Sequence, residues 1–429
     1  MTDKLTMAPD FLAYAQTVGE PKWFTDLRVQ ASEMSATLPL PNFEKIRYQR
    51  WPIHLQQPLK TPDVSQQDLS DELFATKNRI VQQADQLLEV TLSPQLQEAG
   101  VIVCDWQTAL QEHEDLLQEY FMTKATRVNE NQLNAEHVAK LTSGLLIYIP
   151  KNVVLTEPLT TYFVQDATVK QDYVHHVLLI ADTNSEVSYL ENLLTVGQEQ
   201  TTANIVVEVI AKANSHLKFA SIDRLGKQTT TYLNRRGYLE QDAKIDWSLG
   251  MMNDGNIVGD FDSELVGAGS QAQVKVIAIS TGKQVQGIDT RVTNYGRHSV
   301  GDILQHGVIL EKASLIFNGI GHIIKGAKGA NAQQESRVLM LSKRGRGDAN
   351  PILLIDDNDV VAGHAASVGR IDEEQMYYLM SRGLPQQLAQ RLVIRGFLGS
   401  VLKEIPSREI QVYLEEMIER KLIDGQQNL

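Results

Sequence analysis

Apolar and polar residues alternate along a series of short segments between residues 145 and 341. A period of two places one face of a strand against a core and the other face toward solvent, and no long helical period interrupts this stretch. The pattern therefore predicts a run of β-strands joined by turns. The clearest predicted strands span residues 145–149, 174–181, 187–193, 205–211, 217–222, 274–279 and 315–320.

A repeat underlies this alternation. Asn184, Asn214 and Asp242 each begin a unit in which a turn former is followed by a small, a solvated, an aliphatic, a polar and an aromatic residue. A left-handed turn and an inward bulky residue at a fixed period suit a stacked coil, because each coil must bury its face on the next. Weaker copies begin at Gly269, His298 and Ala313. The repeat favours a β-helix-like solenoid, and an antiparallel sandwich with similar turns is the alternative.

The residues before this core are predicted to be mostly helical. Predicted helices lie between Pro9 and Gly19, around Trp23, from near Thr108 and over 131–141, and a short buried strand lies at 101–104. Aromatic and basic residues mix over 42–62, where a packed connecting strand is a better interpretation than a nucleic-acid patch in so acidic a chain. Polar, glutamine-rich sequence follows to about residue 97.

The residues after the repeats predict three helices. A basic, glycine-rich hinge at 342–348 leads to a short strand at 352–355. Asp372 is placed to cap the first helix and Gly383 to end it. The second helix starts at Pro385, and Gly396 could bend it; Ser407 is expected to cap the third. The apolar stripe of that third helix consists of Ile410, Leu414, Met417, Ile418 and Leu422.

The expected fold is therefore mainly β with helical flanks. A right-handed β-helix core is expected over residues 144–348. An N-terminal, mostly helical α/β region is expected over 1–143, and a C-terminal helical domain over 349–429.

Composition narrows the possible functions. The chain has 429 residues and a formal net charge of -13, so nucleic acid and membrane surfaces are not expected as partners. Its one cysteine, Cys104, excludes an internal disulfide and a thiolate metal site built from this chain alone, and an inert core thiol is expected there. No apolar run reaches the length of a membrane span, and a cytoplasmic location is expected.

Few residues suggest catalysis. There is no Gly-x-x-x-x-Gly-Lys-Ser/Thr loop, so nucleotide hydrolysis by this chain is not expected, and Gly319, Gly321 and Gly326 are interpreted as corners of the solenoid. His175 and His176 should point to opposite faces of a strand. Four further histidines could converge on stacked coils as metal ligands: His298, His306, His322 and His364. Asp356, Asp357 and Asp359 place negative charge before His364, although a solvated turn explains them equally.

One segment resembles a known family. Residues 357–383, DNDVVAGHAASVGRIDEEQMYYLMSRG, are similar to the C-terminal signature of the SufB/SufD family of iron-sulfur cluster assembly proteins. Residues 145–153, LLIYIPKNV, resemble the entry into that family's β-helix, and Gly396-Phe397 resembles its second C-terminal helix. The resemblance covers about residues 130–405 and is thin in the first hundred.

Within the family the chain resembles the SufD type. Ala365 follows His364, where SufB-type chains usually carry glutamate, and residues 363–369, GHAASVG, are similar to the SufD pattern. Ala362 stands where some SufD proteins have a cysteine. The resemblance leaves His364 as the only matched candidate for a cluster or metal interface, and no metal site is assigned with certainty.

The resemblance also implies partners. It implies a non-catalytic subunit of a SufBCD-type scaffold complex that pairs with a SufB-type paralogue through the β-helix and docks a SufC-type ATPase on its C-terminal helices. No cofactor would be bound stably, and the iron-sulfur cluster would form transiently in the complex. The helix after Asp372 carries more apolar and aromatic surface than one buried face can use. The predicted partner-binding residues are Met376, Tyr377, Tyr378, Met380 and Arg382.

Other functions stay open at this point. The chain could be a SufB-like scaffold subunit itself, or form a homodimer in isolation. A solenoid enzyme is a further alternative, for which Glu335 and Arg337 near His322 form the best candidate cluster. A homomeric structural scaffold would need only exposed coil edges.

Overall fold

The computed structural model describes residues 7–427 except for 57–68, 70–75, 156, 404, 406 and 407. Helices flank the β-structure at both ends of the chain. The helices are α1 (Met7–Val18), α2 (Lys22–Ser35), α3 (Pro94–Glu98), α4 (Trp106–Glu112), α5 (Glu114–Tyr120), α6 (Gln132–Lys140), α7 (Glu373–Ser381), α8 (Gln386–Lys403) and α9 (Arg408–Gln427).

Strands make up the centre of the molecule. They are β1 (Asn78–Gln83), β2 (Gln86–Thr91), β3 (Ile102–Asp105), β4 (Ser143–Ile149), β5 (Leu159–Ala167), β6 (Tyr173–Ala181), β7 (Glu186–Gly197), β8 (Thr201–Ala211), β9 (His216–Arg224), β10 (Thr229–Leu239), β11 (Lys244–Met251), β12 (Ile257–Leu265), β13 (Gln271–Ser280), β14 (Val285–Asn294), β15 (Val300–Ile309), β16 (Ser314–Ile323), β17 (Asn331–Met340), β18 (Arg346–Ile355) and β19 (Val361–Arg370).

Two sheets of parallel strands form the predicted β-helix, a solenoid of about eight turns. The first sheet, sheet A, has the order β19-β17-β15-β13-β11-β9-β7-β5-β1-β2, and the second, sheet B, has the order β18-β16-β14-β12-β10-β8-β6-β4-β3. Successive strands therefore alternate between the sheets, as the coils of a solenoid require. The parallel pairing excludes the antiparallel sandwich.

The sequence repeat has a direct structural counterpart. The aromatic position of three units forms one stack inside the core, with ring centroids 5.0 Å apart for Tyr189 and Phe219 and 4.7 Å apart for Phe219 and Trp247. The turn position is left-handed in each copy, with φ of 59° at Asn184 and 58° at Asn214. The Asn214 side-chain amide donates to Asn184 Oδ1 at 2.8 Å, so the turns stack as the coils do.

The copy proposed at Ala313 belongs elsewhere. Asp242, Gly269 and His298 are left-handed and precede strands of sheet A, as the repeat predicts. Ala313 lies instead before β16 of sheet B, and the left-handed residue of its turn is Glu311, at φ 54°. The two corners of a coil use similar turn residues, which explains the mistaken alignment.

The N-terminal region adds both helices and strands. β1 pairs in parallel with β5 and antiparallel with β2, and β3 pairs antiparallel with β4, so this region extends both sheets. The glutamine-rich segment gave no strand prediction because buried Gln82 and Gln83 break the apolar period. The side-chain N–H of Gln82 donates to Gly144 O, and that of Gln83 donates to Asp166.

Two N-terminal predictions need correction. The described part of the segment predicted as a connecting strand, 42–56, forms turns without strand pairing, although Tyr48 and Ile53 are fully buried. Its backbone bonds are local, such as Trp51 N to Tyr48 O, so no ladder forms. The helix predicted from near Thr108 begins at Trp106, capped by Asp105, and is interrupted at His113.

The β-helix extends past the predicted boundary at residue 348. That residue lies inside β18, which pairs with β16, and β19 then pairs with β17. The hinge segment 342–348 therefore supplies one more corner and the start of a strand. Polar residues such as Asp348 and Asn350 hid the strand period there.

The C-terminal helices cover one face of sheet A. The predicted stripe of α9, including Leu414 and Ile418, is buried with Ile222 and Ile279 in one apolar cluster. Asp372 caps α7 through the backbone N–H groups of residues 374 and 375, as predicted. α8 runs through Gly396 without a break, and the predicted cap Ser407 lies outside the described residues.

Candidate functional site

The last coil leaves one end of the β-helix open. β18 and β19 are the terminal strands of their sheets, and within the described chain each pairs with a neighbouring coil on one side only. Most side chains of β19 are exposed and most of those of β18 are half-buried, whereas those of earlier strands such as β8 are buried. The large apolar side chains exposed there are Leu354, Ile355, Val361 and Val368. An unpaired edge with exposed apolar residues is a surface suited to pairing with another chain.

His364 lies on this open edge. It stands opposite Gln334 of β17 in the register, and its side chain is exposed. No other described residue forms a hydrogen bond or an ion pair with its imidazole. At Gly363 a Cβ atom would come within 2.6 Å of Gln333 Oε1, so glycine leaves room for that neighbouring side chain. Both ring nitrogens of His364 are therefore available to a partner or a ligand.

The carboxylates before His364 belong to their own turn. Asp357 accepts hydrogen bonds from the backbone N–H groups of Gly326 at 2.9 Å and Asn358 at 2.8 Å, and these bonds hold its pKa below the ordinary value. Asp356 lies 3.3 Å from His322 Nε2. The four histidines considered as metal ligands do not form such a site, because the described chain contains no group of three or more His, Cys, Asp or Glu side chains that could hold a metal.

His306 joins the β-helix to the C-terminal helices. Its ring stacks on Phe397 of α8 at 4.8 Å, and its Nδ1 lies 3.2 Å from Phe397 O. Its Nε2 lies 3.2 Å from Glu335 Oε1, and burial lowers the pKa of the imidazole. The suggested cluster of Glu335, Arg337 and His322 does not form, because His322 lies on sheet B and Glu335 on sheet A. Glu335 contacts Arg337 and His306 instead.

The predicted partner-binding helix exposes most of its named residues. Tyr377 is 76% exposed, and Tyr378, Met380 and Arg382 are exposed as well. The guanidinium of Arg382 lies 5.1 Å from the centroid of the Tyr378 ring. Met376 is buried and is not available at the surface. The exposed set, Tyr377, Tyr378, Met380 and Arg382, is called the α7 face below.

The other candidate residues are structural. Cys104 is half-buried, and burial together with the nearby Asp105 carboxylate raises its pKa to about 12, which keeps the thiol protonated. Gly319 and Gly321 lie inside β16 and not at corners; only Gly326 of the three lies in a turn, at φ 102°. A Cβ atom at Gly319 would come within 2.6 Å of Gln334 Oε1, so close packing explains that glycine.

Two adjacent histidines face opposite sides of β6, as predicted. His175 points into the solenoid, where its ring packs against that of Phe163 in a tilted arrangement, with the centroids 4.1 Å apart. His176 points outward, 3.2 Å from Glu208 and 3.1 Å from His137. No local sequence pattern predicts this buried outward cluster, because its three members lie on elements far apart in the chain.

These features define a β-helix protein with two surfaces free for other proteins, the open end and the α7 face. Two family models match the chain: "SUF system FeS cluster assembly, SufBD core domain" over residues 163–397 and "SufBD protein N-terminal region" over residues 68–161. The chain therefore belongs to the SufBD family. None of its described helices is long and apolar enough to cross a membrane.

Relatives match nearly the whole chain. "Iron-sulfur cluster assembly protein SufD" of Bacillus subtilis (strain 168) is 41% identical over 434 residues, which cover 98% of this chain and 99% of the relative. An "Iron-sulfur cluster assembly SufBD family protein" of Staphylococcus epidermidis is 25% identical, and one of Staphylococcus haemolyticus is 26% identical, each covering 90% of this chain and 87% of the relative. The similarity thus includes the first hundred residues, where the motifs alone showed little.

Proposed function

We propose that this chain is a non-catalytic, SufD-type subunit of a complex that assembles iron-sulfur clusters in the cytoplasm. The observation that carries the proposal is the similarity to SufD of Bacillus subtilis along the full length of both chains. The one cysteine, with its raised pKa, favours a scaffold over a thiolate catalyst. The cluster would be built transiently in the complex, and this chain would keep no cofactor of its own.

The open end of the β-helix is the proposed contact with a SufB-type paralogue. β18 and β19 offer unpaired backbone groups, and their exposed apolar residues would be buried by strands of the partner. His364 would then lie at the interface, where its imidazole could bind iron or relay a proton. In isolation the same edge could pair with a second copy of this chain.

The α7 face is the proposed docking surface for a SufC-type ATPase. Two exposed tyrosines, a methionine and an arginine are the residue types enriched at the centres of protein interfaces. α7 is followed directly by α8, which contacts sheet A through the Phe397 ring and carbonyl, both of them against His306. A movement imposed on α7 would reach the β-helix by this route.

Reconstitution tests the proposal. The chain, a SufB-type paralogue and a SufC-type ATPase are mixed, and complexes are measured by size-exclusion chromatography with light scattering. We expect one complex that contains all three. Val361→Lys with Val368→Lys should prevent pairing with the paralogue, because lysines on an edge strand oppose pairing. Val169→Lys, at an exposed valine away from the edge, is the control. The proposal fails if the paralogue and the ATPase assemble without this chain and exclude it.

A further inference from the structure

Three cations stack along one corner of the β-helix. Val285, Ser314 and Arg346 are the first paired residues of β14, β16 and β18, and they are neighbours in the sheet because Val285 pairs with Ser314 and Ser314 with Arg346. A cation lies two residues before each of them. These cations are Lys283, Lys312 and Arg344. The three positions therefore repeat on consecutive coils, which are about 4.7–4.9 Å apart. We call this set the basic corner.

The basic corner is not compensated within the chain. All three side chains are exposed, and in the part of the chain that the structure describes none of them forms an ion pair or a side-chain hydrogen bond. Like charges on neighbouring strands destabilise a sheet. The protein has 53 acidic residues and only 40 lysines and arginines, so stacked and unpaired cations here are not a consequence of composition. An anionic ligand would remove the repulsion.

The basic corner lines a large polar cleft. The cleft has a volume of about 1040 Å³, and Lys227 and Lys421 add two more cations to its lining, against the carboxylates of Asp254 and Glu311. Lys421 of α9 donates to Asn253 O at 2.8 Å and also pairs with Asp254, which leaves Asp254 less able to neutralise the corner. The lining as described contains no aromatic ring, so nucleic-acid bases would find no stacking surface.

We propose that the basic corner is a docking site for an acidic α-helix of a partner protein. Carboxylates at positions i, i+4 and i+7 of a helix lie about 5–6 Å apart and match the spacing of the coils. Side chains on one face of an extended strand lie about 6.6 Å apart, a spacing that does not match the distance between the coils. This inference does not depend on the proposed function.

Peptide binding tests the inference. The probe is a labelled, alanine-rich helical peptide of about 20 residues, long enough to be helical, with glutamates at i, i+4 and i+7. Its affinity for the full chain is measured by fluorescence anisotropy at low and high salt. The variant Lys283→Gln/Lys312→Gln/Arg344→Gln should bind at least about tenfold more weakly, and salt should weaken binding to the unsubstituted chain. Lys124→Gln/Lys151→Gln/Lys170→Gln removes the same charge outside the cleft and should bind normally.

Other outcomes would overturn the proposal. Equal loss in both triple variants would mean general charge attraction. Equal binding of a peptide with the same glutamates spread around the helix would exclude a helix face as the recognised feature. A third outcome is that inorganic tripolyphosphate binds, that its binding depends on the three cations, and that the peptide does not bind. The cleft would then be a site for a small polyanion. Thermal melting completes the test, because the basic-corner variant should be at least as stable as the unsubstituted chain, and marked destabilisation would show that the cations have a structural role.

Discussion

The Tyr413 hydroxyl donates a hydrogen bond to Asn192 Oδ1 at 2.7 Å, in the buried interface between α9 and β7. The Asn192 amide in turn donates to Thr161 O on β5. Residues 221 positions apart are thus joined, and the last helix is fixed to the middle of sheet A by a polar contact inside an otherwise apolar cluster.

Tyr413→Phe should destabilise the protein. The substitution keeps the ring but leaves Asn192 Oδ1 without this donor in a buried site, and an unsatisfied buried acceptor costs about 1–3 kcal/mol. Chemical denaturation followed by circular dichroism measures the change. Tyr377→Phe, at an exposed tyrosine, is the control and should leave stability unchanged. Equal stability of both variants would show that Asn192 finds another partner.

The sequence predicted the solenoid because its two repeating features are local. Each coil has a left-handed residue such as Asn214 at its turn and an inward aromatic residue such as Phe219. Both are required by the geometry of a single coil and do not depend on distant parts of the chain. β1 was missed, and only the last four residues of β18 were predicted, for the opposite reason. Gln82 is buried in β1, where its side-chain N–H donates to Gly144 O of another strand, and a polar residue of this kind breaks the period from which strands are predicted.

The candidate site was predicted less completely than the fold. The motif identified His364, but its exposure depends on β19 being the last strand of its sheet, which no local pattern shows. The α7 residues were identified as a group, and only the packing separates buried Met376 from exposed Tyr377. The basic corner could have been found from the sequence, because its cations recur at the period of the coils.

Alanine substitutions on the α7 face should weaken ATPase binding. Tyr377→Ala or Met380→Ala removes an exposed side chain, so the far-UV spectrum should not change. A residue at the centre of an interface contributes about 2 kcal/mol or more to binding, so the loss of either side chain should lower the affinity at least about tenfold. Isothermal titration of a SufC-type ATPase measures the affinity. Leu12→Ala, at an exposed leucine of α1, serves as the control. Unchanged affinity in both α7 variants would remove this helix from the docking surface.

His364→Ala should separate cluster assembly from stability. The imidazole is exposed and has no described partner, so the melting temperature of the isolated chain should stay the same, while the rate of cluster formation in the reconstituted complex should fall. Cluster formation is followed by absorbance. The control is His298→Asn, an exposed histidine at a left-handed turn that asparagine tolerates. A destabilised His364 variant whose complex still forms clusters at the normal rate would make this histidine a packing residue.

Glu208 should make the protein less stable as pH rises. Burial raises its pKa to about 8 from an ordinary 4.5, and burial lowers the pKa of the adjacent His176 to about 3, so their 3.2 Å contact at neutral pH joins two largely neutral groups. Between pH 4.5 and about 8 the folded state holds a proton on Glu208 that the unfolded state has lost, so stability falls across this window, by an amount on the order of a few kcal/mol.

Glu208→Gln isolates this effect, because glutamine has a similar shape and does not titrate. Its oxygen can still accept the bond from Met122 N, which is 2.7 Å long to Glu208. The unfolded-state titration of His176 is the same in both proteins and cancels in the difference. The free energy of unfolding, measured from pH 4 to 9, should therefore be nearly equal for the two proteins at the acid end. The variant should become increasingly the more stable as pH rises to about 8, and the difference should then level off. Parallel pH profiles for the two proteins would mean that folding leaves the pKa of Glu208 at its ordinary value, so that the carboxylate is ionised in the folded state at neutral pH.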